Sequence, residues 1–196
     1  QLKGASRLVG IVAVMAIIAS FMWVRVNVPA FVDLTPDRMD QIKTMVAKNL
    51  ADLDIASQGL SAPLLFFVNA RATVAIFLLG LVSFGTLGLT VFIGNMGLVG
   101  GLLGAASLVG FSPWLLFAAG ILPHGMFELT AVFLATAAML KAGAQLVTPQ
   151  PDKSLGEVLI FALADWSRIF IGLVVPFLAV AAIIEIYLTP LLLRLA

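Results

Sequence analysis

The chain has 196 residues, of which 62% are hydrophobic and 11% are charged, and its net charge at pH 7 is +1. A soluble domain is usually about 45–50% apolar and about 25% charged, and a soluble fold of this size cannot hide such an excess of apolar surface. The composition therefore excludes an ordinary soluble enzyme, and the near-zero net charge excludes a nucleic-acid-binding protein. The absence of Cys excludes disulfides, thiolate metal sites and a Cys nucleophile.

Long uncharged segments predict an all-α polytopic membrane protein whose main partner is the lipid bilayer. No Asp, Glu, Lys or Arg occurs between Arg71 and Glu128, and about 20 apolar residues cross a bilayer, so this stretch holds two crossings and the start of a third. Backbone groups in hydrocarbon must be paired within the segment, which favours helices over loops. We expect a single membrane domain over residues 1–196, with spans at about 8–28, 64–84, 87–109, 113–140 and 162–190.

The first span follows Lys3 and Arg7 and is uncharged from residue 8 onward. A signal peptide is the alternative interpretation, because Val28-Pro29-Ala30 places small residues in a cleavage-like arrangement. The uncharged run is long for a signal peptide, which favours a membrane span. Because the chain begins with Gln1, we expect the natural protein to extend further upstream.

The segment after the first span predicts an amphipathic helix over about residues 36–58. Thr35-Pro36-Asp37 has the N-cap, the proline and the first-turn acid that are typical of a helix start. Apolar residues then recur at three- and four-residue steps as far as Leu53, and Gly59 ends the pattern. The opposite face mixes acidic and basic residues, which favours a connecting helix that lies on the protein or the membrane interface.

The third span is rich in glycine. Its glycines form overlapping small-xxx-small faces that let two helix backbones approach closely, and the amide of Asn95 can hydrogen bond across such a contact. Packing against the second or fourth span and a homodimer seam both fit this pattern. The glycines are Gly94, Gly97, Gly100, Gly101 and Gly104.

Pro123-His124-Gly125 interrupts the fourth span. Proline removes a backbone donor and clashes with the preceding turn, so we predict that this helix is kinked or broken at Pro123. His124 and Glu128 are four residues apart and share one helix face. An ionised Glu at mid-bilayer costs on the order of 3 kcal/mol and therefore needs a partner, for which His124 and the positive end of a half-helix are the candidates. The pair is either a satisfied structural contact or a proton or ion relay.

Glu185 is a second acidic residue within a span, the fifth, where an ionised side chain is energetically unfavourable. Arg71 either reaches to the interface or neutralises Glu185, since the start of the second span and the end of the fifth lie on the same side of a five-helix bundle. Asn69 and Asn95 complete the candidate intramembrane polar site. We expect no cofactor and no metal ion, because one His and no Cys are too few nitrogen and sulfur ligands for zinc.

At these residues the chain resembles the stage II sporulation protein M family. Where family members often have two adjacent Asn and an Asn-Gly pair, this chain has Ala70 and Met96 at the second position. The sporulation members act in engulfment as membrane anchors for cell-wall hydrolases. The motifs that carry the resemblance lie between Asn69 and Pro190 and are Pro123-His124-Gly125-x-x-Glu128-Leu129, Glu185-x-Tyr187-x-x-Pro190 and Asn95 in its glycine-rich helix.

The resemblance implies a non-enzymatic scaffold or anchor for membrane or cell-envelope proteins. A transporter or permease subunit with its site at His124 and Glu128 is the alternative. A water-accessible cavity at that pair favours transport, and a dry, packed pair favours the scaffold. We expect a multi-pass protein of the cell membrane with its N-terminus in the cytoplasm. In this orientation four basic residues lie inside and three lie outside, which are respectively Lys3, Arg7, Lys141 and Lys153, and Arg38, Lys43 and Lys48.

Overall fold

The computed structural model describes residues 2–32, 34–51, 60–148 and 153–195. Regular structure in these ranges is helical, and five of the helices are long and apolar enough to cross a membrane, as the composition predicts. The predicted amphipathic helix is present as far as residue 51, and its predicted continuation over residues 52–58 lies outside the described residues. In chain order the helices are α1 (Leu2–Phe31), α2 (Pro36–Ala51), α3 (Ala62–Val82), α4 (Thr86–Leu108), α5 (Pro113–Val147) and α6 (Leu155–Leu195).

The core of the bundle forms where α1, α3, α4, α5 and α6 meet. Phe77 of α3, Phe92 of α4 and Met139 of α5 are almost fully buried there. The ring of Trp166 in α6 stacks between Phe77 and Phe170, with centroid distances of 4.1 and 4.6 Å. Many large apolar side chains outside this core are exposed, which is the surface that a helix bundle in lipid requires.

The glycine-rich face of α4 packs against α1. A Cβ atom added to Gly100 would collide with the carbonyl oxygen of Ile17, and one added to Gly104 would lie 2.9 Å from the carbonyl oxygen of Phe21. Gly97 and Gly101 face Ser20 at ordinary contact distances, whereas a Cβ at Gly94 would meet nothing within 4 Å. The seam therefore lies within the chain, but its partner is the first span and not the second or fourth that the sequence analysis named, because the motif does not encode which helix it contacts. The residues of α1 that contact these glycines include Ile17, Ser20 and Phe21.

The helix α2 lies at the end of the bundle where α6 ends and α5 begins. It packs against the last turns of α6, and the aliphatic chain of Lys43 lies beside Gly110 in the turn between α4 and α5. Gly110 has a φ of +83°, which favours glycine at this turn. The first-loop helix is thus attached to the same end of α5 and α6 that leads into the candidate site.

Three intramembrane prolines each follow a π-helical turn in the described parts of α5 and α6. The π turns are Leu116–Ile121 before Pro123, Phe170–Val174 before Pro176 and Ile184–Leu188 before Pro190. Proline has no N–H and its ring crowds the carbonyl four residues earlier, and a wider i→i−5 turn moves the backbone away from that clash. The backbone stays right-handed at Ile121, with φ −103° and ψ −47°. The interruption predicted at Pro123 is therefore a π turn in a continuous helix, and no separate half-helix end arises there.

Candidate functional site

Three ionisable side chains converge between α5 and α6. His124, Glu128 and Glu185 each offer one ligand atom, and these atoms all lie within 4.8 Å of one another. His124 and Glu128 are one turn apart on α5, as their spacing predicts, and Glu185 comes from α6. We call these three residues the His–Glu–Glu cluster.

Two π turns place the cluster. One ends at Ile121, directly before Pro123 and His124, and the other is the Ile184–Leu188 turn that contains Glu185. The last helical turns of α6, from Thr189 onward, pack on the first of these π turns, and α5 packs on the second. Irregular helical turns of this kind are frequent at functional sites because they redirect side chains that a regular helix would separate.

Thr189 holds the imidazole ring of His124. Its hydroxyl oxygen lies 3.3 Å from Nδ1 of His124, and the threonine is buried. The described hydrogen bonds include no bond between His124 and Glu128, so the satisfied structural pair considered in the sequence analysis does not form. Within the described residues, Nε2 of His124 has no hydrogen-bond partner.

The two carboxylates of the cluster have no counter-charge among the described residues. The described ion pairs join Lys43 to Asp40 and join both Lys141 and Arg168 to Asp165, and none includes Glu128 or Glu185. Arg71 is exposed and forms no described ion pair with Glu185. The cluster therefore brings two acids together beside one imidazole, without a described Lys or Arg to offset them.

The cluster is half-buried, so it is neither a dry, fully packed pair nor an open surface group. An apolar groove lies at the start of α5 and is lined by Leu103, Pro113, Trp114 and Phe117. None of the three cluster residues lines it.

The predicted asparagines make no described hydrogen bond to the cluster. The side-chain amide of Asn95 donates to the carbonyl oxygen of Val91 in its own helix at 3.2 Å. The backbone carbonyl of Asn69 accepts a hydrogen bond from the Thr73 hydroxyl at 2.8 Å. Both hydrogen bonds stay within one turn of one helix, so neither of them joins helices at the site.

The structure also reveals an ion pair that the sequence analysis missed. Nζ of Lys141 donates to a carboxylate oxygen of Asp165 at 2.9 Å, and Arg168 contacts the other oxygen at 3.4 Å. Lys141 lies beyond the predicted end of the fourth span, but α5 continues to Val147. A short connection joins α5 to α6, and the two helices pack together. Residues near that connection on one helix therefore meet residues near it on the other, and this rule would have predicted the pair.

Comparisons with known proteins agree with the motifs. The sequence model of the family described as Stage II sporulation protein M matches residues 5–190. The matched range includes His124, Glu128 and Glu185. No significant match to a curated protein or to a solved structure is found.

Proposed function

We propose that this chain, which belongs to the stage II sporulation protein M family and is a multi-pass membrane protein, is a membrane transport subunit whose functional site is the His–Glu–Glu cluster. In this role the cluster binds and releases a proton or a small cation. The single observation that carries the proposal is the convergence of His124, Glu128 and Glu185 without a described counter-charge.

The energetic cost of the cluster supports a functional role. A charged side chain inside a span costs several kcal/mol on insertion scales, and a purely structural pair lowers this cost by placing acid beside base. Here two acids share one histidine, which can offset at most one of them. A proton or cation that enters the cluster relieves their repulsion, and its departure restores it, so occupancy of the site is coupled to the local free energy of the bundle.

The positions of the side chains fit this role. Glu128 and Glu185 come from different helices, so a ligand between them joins α5 to α6. His124 adds a third polar group whose ring is held by Thr189. The π turns beside the cluster interrupt the regular helical ladder, and irregular helices of this kind line binding sites in transport proteins.

A non-enzymatic scaffold or anchor for cell-envelope proteins is the second candidate. The family relationship supports it, since anchoring is the role of the sporulation members. One structural feature also favours it: the polar side of α2, including Arg38, Asp40 and Lys48, is exposed at one end of the bundle. Such a mixed-charge surface suits a water-facing partner protein. Under either candidate we propose a location in the cell membrane, a cytoplasmic N-terminus and a homodimer.

The substitution Glu128→Gln separates the two candidates. Gln keeps the shape of the side chain but cannot ionise, so we expect a folded protein that no longer moves protons or cations into proteoliposomes loaded with an ion-sensitive dye. Glu157→Gln is the matched control, since Glu157 is exposed at the start of α6 and caps that helix, and it should keep wild-type flux. A scaffold, by contrast, keeps its partners in a pull-down when Glu128 is replaced. Equal flux in wild-type and Glu128→Gln vesicles, or none in wild-type vesicles under gradients of H⁺, Na⁺, K⁺, Zn²⁺ and Mn²⁺, would refute the transport proposal.

A further inference from the structure

We propose that the His–Glu–Glu cluster binds one divalent transition-metal cation of the Zn²⁺ or Mn²⁺ type. The ligands are a ring nitrogen of His124 and one carboxylate oxygen each from Glu128 and Glu185. This inference rests on the proposed function for its biological meaning and names the ligand of the same site. The sequence analysis expected no metal because it counted nitrogen and sulfur ligands alone, whereas the fold adds oxygen ligands from two separate spans.

The spacing of the ligand atoms suits a single cation. They lie within 4.8 Å of one another, and bonds of roughly 2.0–2.2 Å at tetrahedral angles place two ligands of one metal about 3.3–3.6 Å apart. Closing the largest of these separations takes a relative movement of up to about 1.5 Å. Neither carboxylate is held by a described hydrogen bond or ion pair, so rotation of the Glu128 and Glu185 side chains supplies it without moving the helices.

The charge of the cluster selects a divalent cation. Two ionised carboxylates and a neutral imidazole carry two negative charges, which one divalent cation neutralises. A monovalent cation leaves a net negative charge between α5 and α6, and residual charge inside a membrane is costly. The cluster has no described basic side chain to make up the difference.

The donor set selects the type of divalent cation. Ca²⁺ prefers six or more oxygen ligands, and Mg²⁺ holds its water shell and binds through oxygen. An imidazole nitrogen among the ligands favours transition metals such as Zn²⁺, and carboxylates also suit Mn²⁺. One nitrogen and two oxygens therefore fit Zn²⁺ or Mn²⁺ better than Mg²⁺ or Ca²⁺.

Thr189 contacts one ring nitrogen of His124 and so orients the imidazole. Metal-binding histidines usually have their second ring nitrogen hydrogen bonded to another group, which fixes the orientation of the ring, and Nδ1 of His124 has such a contact with the buried Thr189 hydroxyl. Nε2 is then the nitrogen available to the cation. Three protein ligands leave at least one coordination position for water, as in sites that exchange their ligands, whereas structural zinc sites are closed by four.

The test measures metal binding directly on the full chain in nanodiscs, with Zn²⁺, Mn²⁺ and Mg²⁺ as separate probes. Equilibrium dialysis followed by elemental analysis should give about one Zn²⁺ or Mn²⁺ per chain and no saturable Mg²⁺ binding. Glu128→Gln and Glu185→Gln should each weaken Zn²⁺ binding by more than about 100-fold, since losing a direct ligand costs more than losing a supporting one. The control Glu157→Gln should bind Zn²⁺ like the wild type.

A second measurement, the unfolding temperature, distinguishes loss of the metal site from misfolding of a variant. Saturating Zn²⁺ should raise the unfolding temperature of the wild type and of Glu157→Gln, but not that of the two cluster variants, which unfold cooperatively without metal. No stoichiometric Zn²⁺ or Mn²⁺ binding by the wild type, or equal binding by folded cluster variants, would overturn the inference. Proton flux without metal binding would support the transport proposal and refute the metal site. Metal binding without any flux would support the metal site and refute the transport proposal.

Discussion

The helix pair α5 and α6 carries two groups of ionisable side chains, and their charges are balanced in opposite ways. In one group, Asp165 lies between Lys141 and Arg168, at 2.9 and 3.4 Å. In the other, two carboxylates and a histidine converge with no described basic partner. The comparison teaches that a charged residue in a span does not by itself mark a functional site. In the first group the acid is paired with basic residues of the same chain. In the second group the charge of the two carboxylates is neutralised only when a proton or a cation binds.

The largest effect that we expect comes from packing and not from either charged group. Gly100→Leu places a side chain where the carbonyl oxygen of Ile17 already lies, so α1 must separate from α4. We expect a loss of about 3 kcal/mol in the free energy of unfolding, the upper end of what overpacking typically costs, measured by thermal unfolding in detergent. Gly94→Leu is the matched control and should unfold like the wild type, because a Cβ there meets nothing within 4 Å. A smaller loss than for Asp165→Asn would mean that charge pairs, and not packing, hold the bundle.

Asp165→Asn tests the balanced group. It leaves Lys141 without its partner, and since the Lys141 and Asp165 side chains are 27% and 42% exposed, the expected loss lies between that of a surface pair and that of a buried pair, at about 1–2 kcal/mol. Thermal unfolding in detergent measures it. Asp40→Asn removes a solvent-exposed pair with Lys43 and should change little. The double variant Lys141→Met, Asp165→Asn should recover part of the loss, and no recovery would contradict the pairing.

Thr189→Val tests the support of His124 with a nearly isosteric change. We expect a loss of about 1 kcal/mol in the free energy of unfolding, because one hydrogen bond disappears, together with a roughly 10–100-fold weaker binding of Zn²⁺. Thr73→Val is the control, since its hydroxyl is also buried but bonds only to the carbonyl of Asn69 in its own helix. It should lose similar stability and keep the wild-type affinity for Zn²⁺. Equal affinities of Thr189→Val and the wild type would show that Thr189 does not orient the ligand.

Glu185→Gln sharpens the comparison most, although its effect on stability is the smallest. Removing one acid from an unbalanced group relieves repulsion, so we expect a change between zero and a gain of about 1 kcal/mol when no divalent cation is present. This is the opposite sign from Asp165→Asn, and thermal unfolding of both variants in a metal-chelating buffer compares them directly. A clear loss of stability would mean that Glu185 has a stabilising partner and that the two groups are alike.

Local rules account for what the sequence predicts well. A long apolar stretch in a bilayer has to be helical because its backbone groups have no other partners, so the five spans follow from hydropathy. The four-residue spacing of His124 and Glu128 places them on one face because of the helical repeat. Pro123 interrupts its helix because it lacks an N–H. Each of these inferences depends on neighbours within about one turn.

Tertiary contacts account for what the sequence does not predict. The sequence offers Glu185 as one of two alternatives for Arg71, because both lie near the same side of the membrane. In the structure Glu185 instead meets His124 and Glu128, since α6 packs on α5 at that level. The glycines of α4 predict a close contact but not that α1 provides it. Lys141 finds Asp165 because α5 extends to Val147. In each case the missing information is which helix lies beside which.

The position of Glu185 depends on the number of residues in the π turn at Ile184–Leu188. A π turn contains one residue more than the α-helical turn it replaces. Deleting a single residue there restores a regular helix and leaves the flanking faces of α6 in register, yet it redirects the side chains within the turn, Glu185 among them. Related chains that are one residue shorter in this turn would therefore keep the bundle while losing the convergence of the three side chains. An insertion or deletion at this point alters the chemistry of the protein more than many substitutions would.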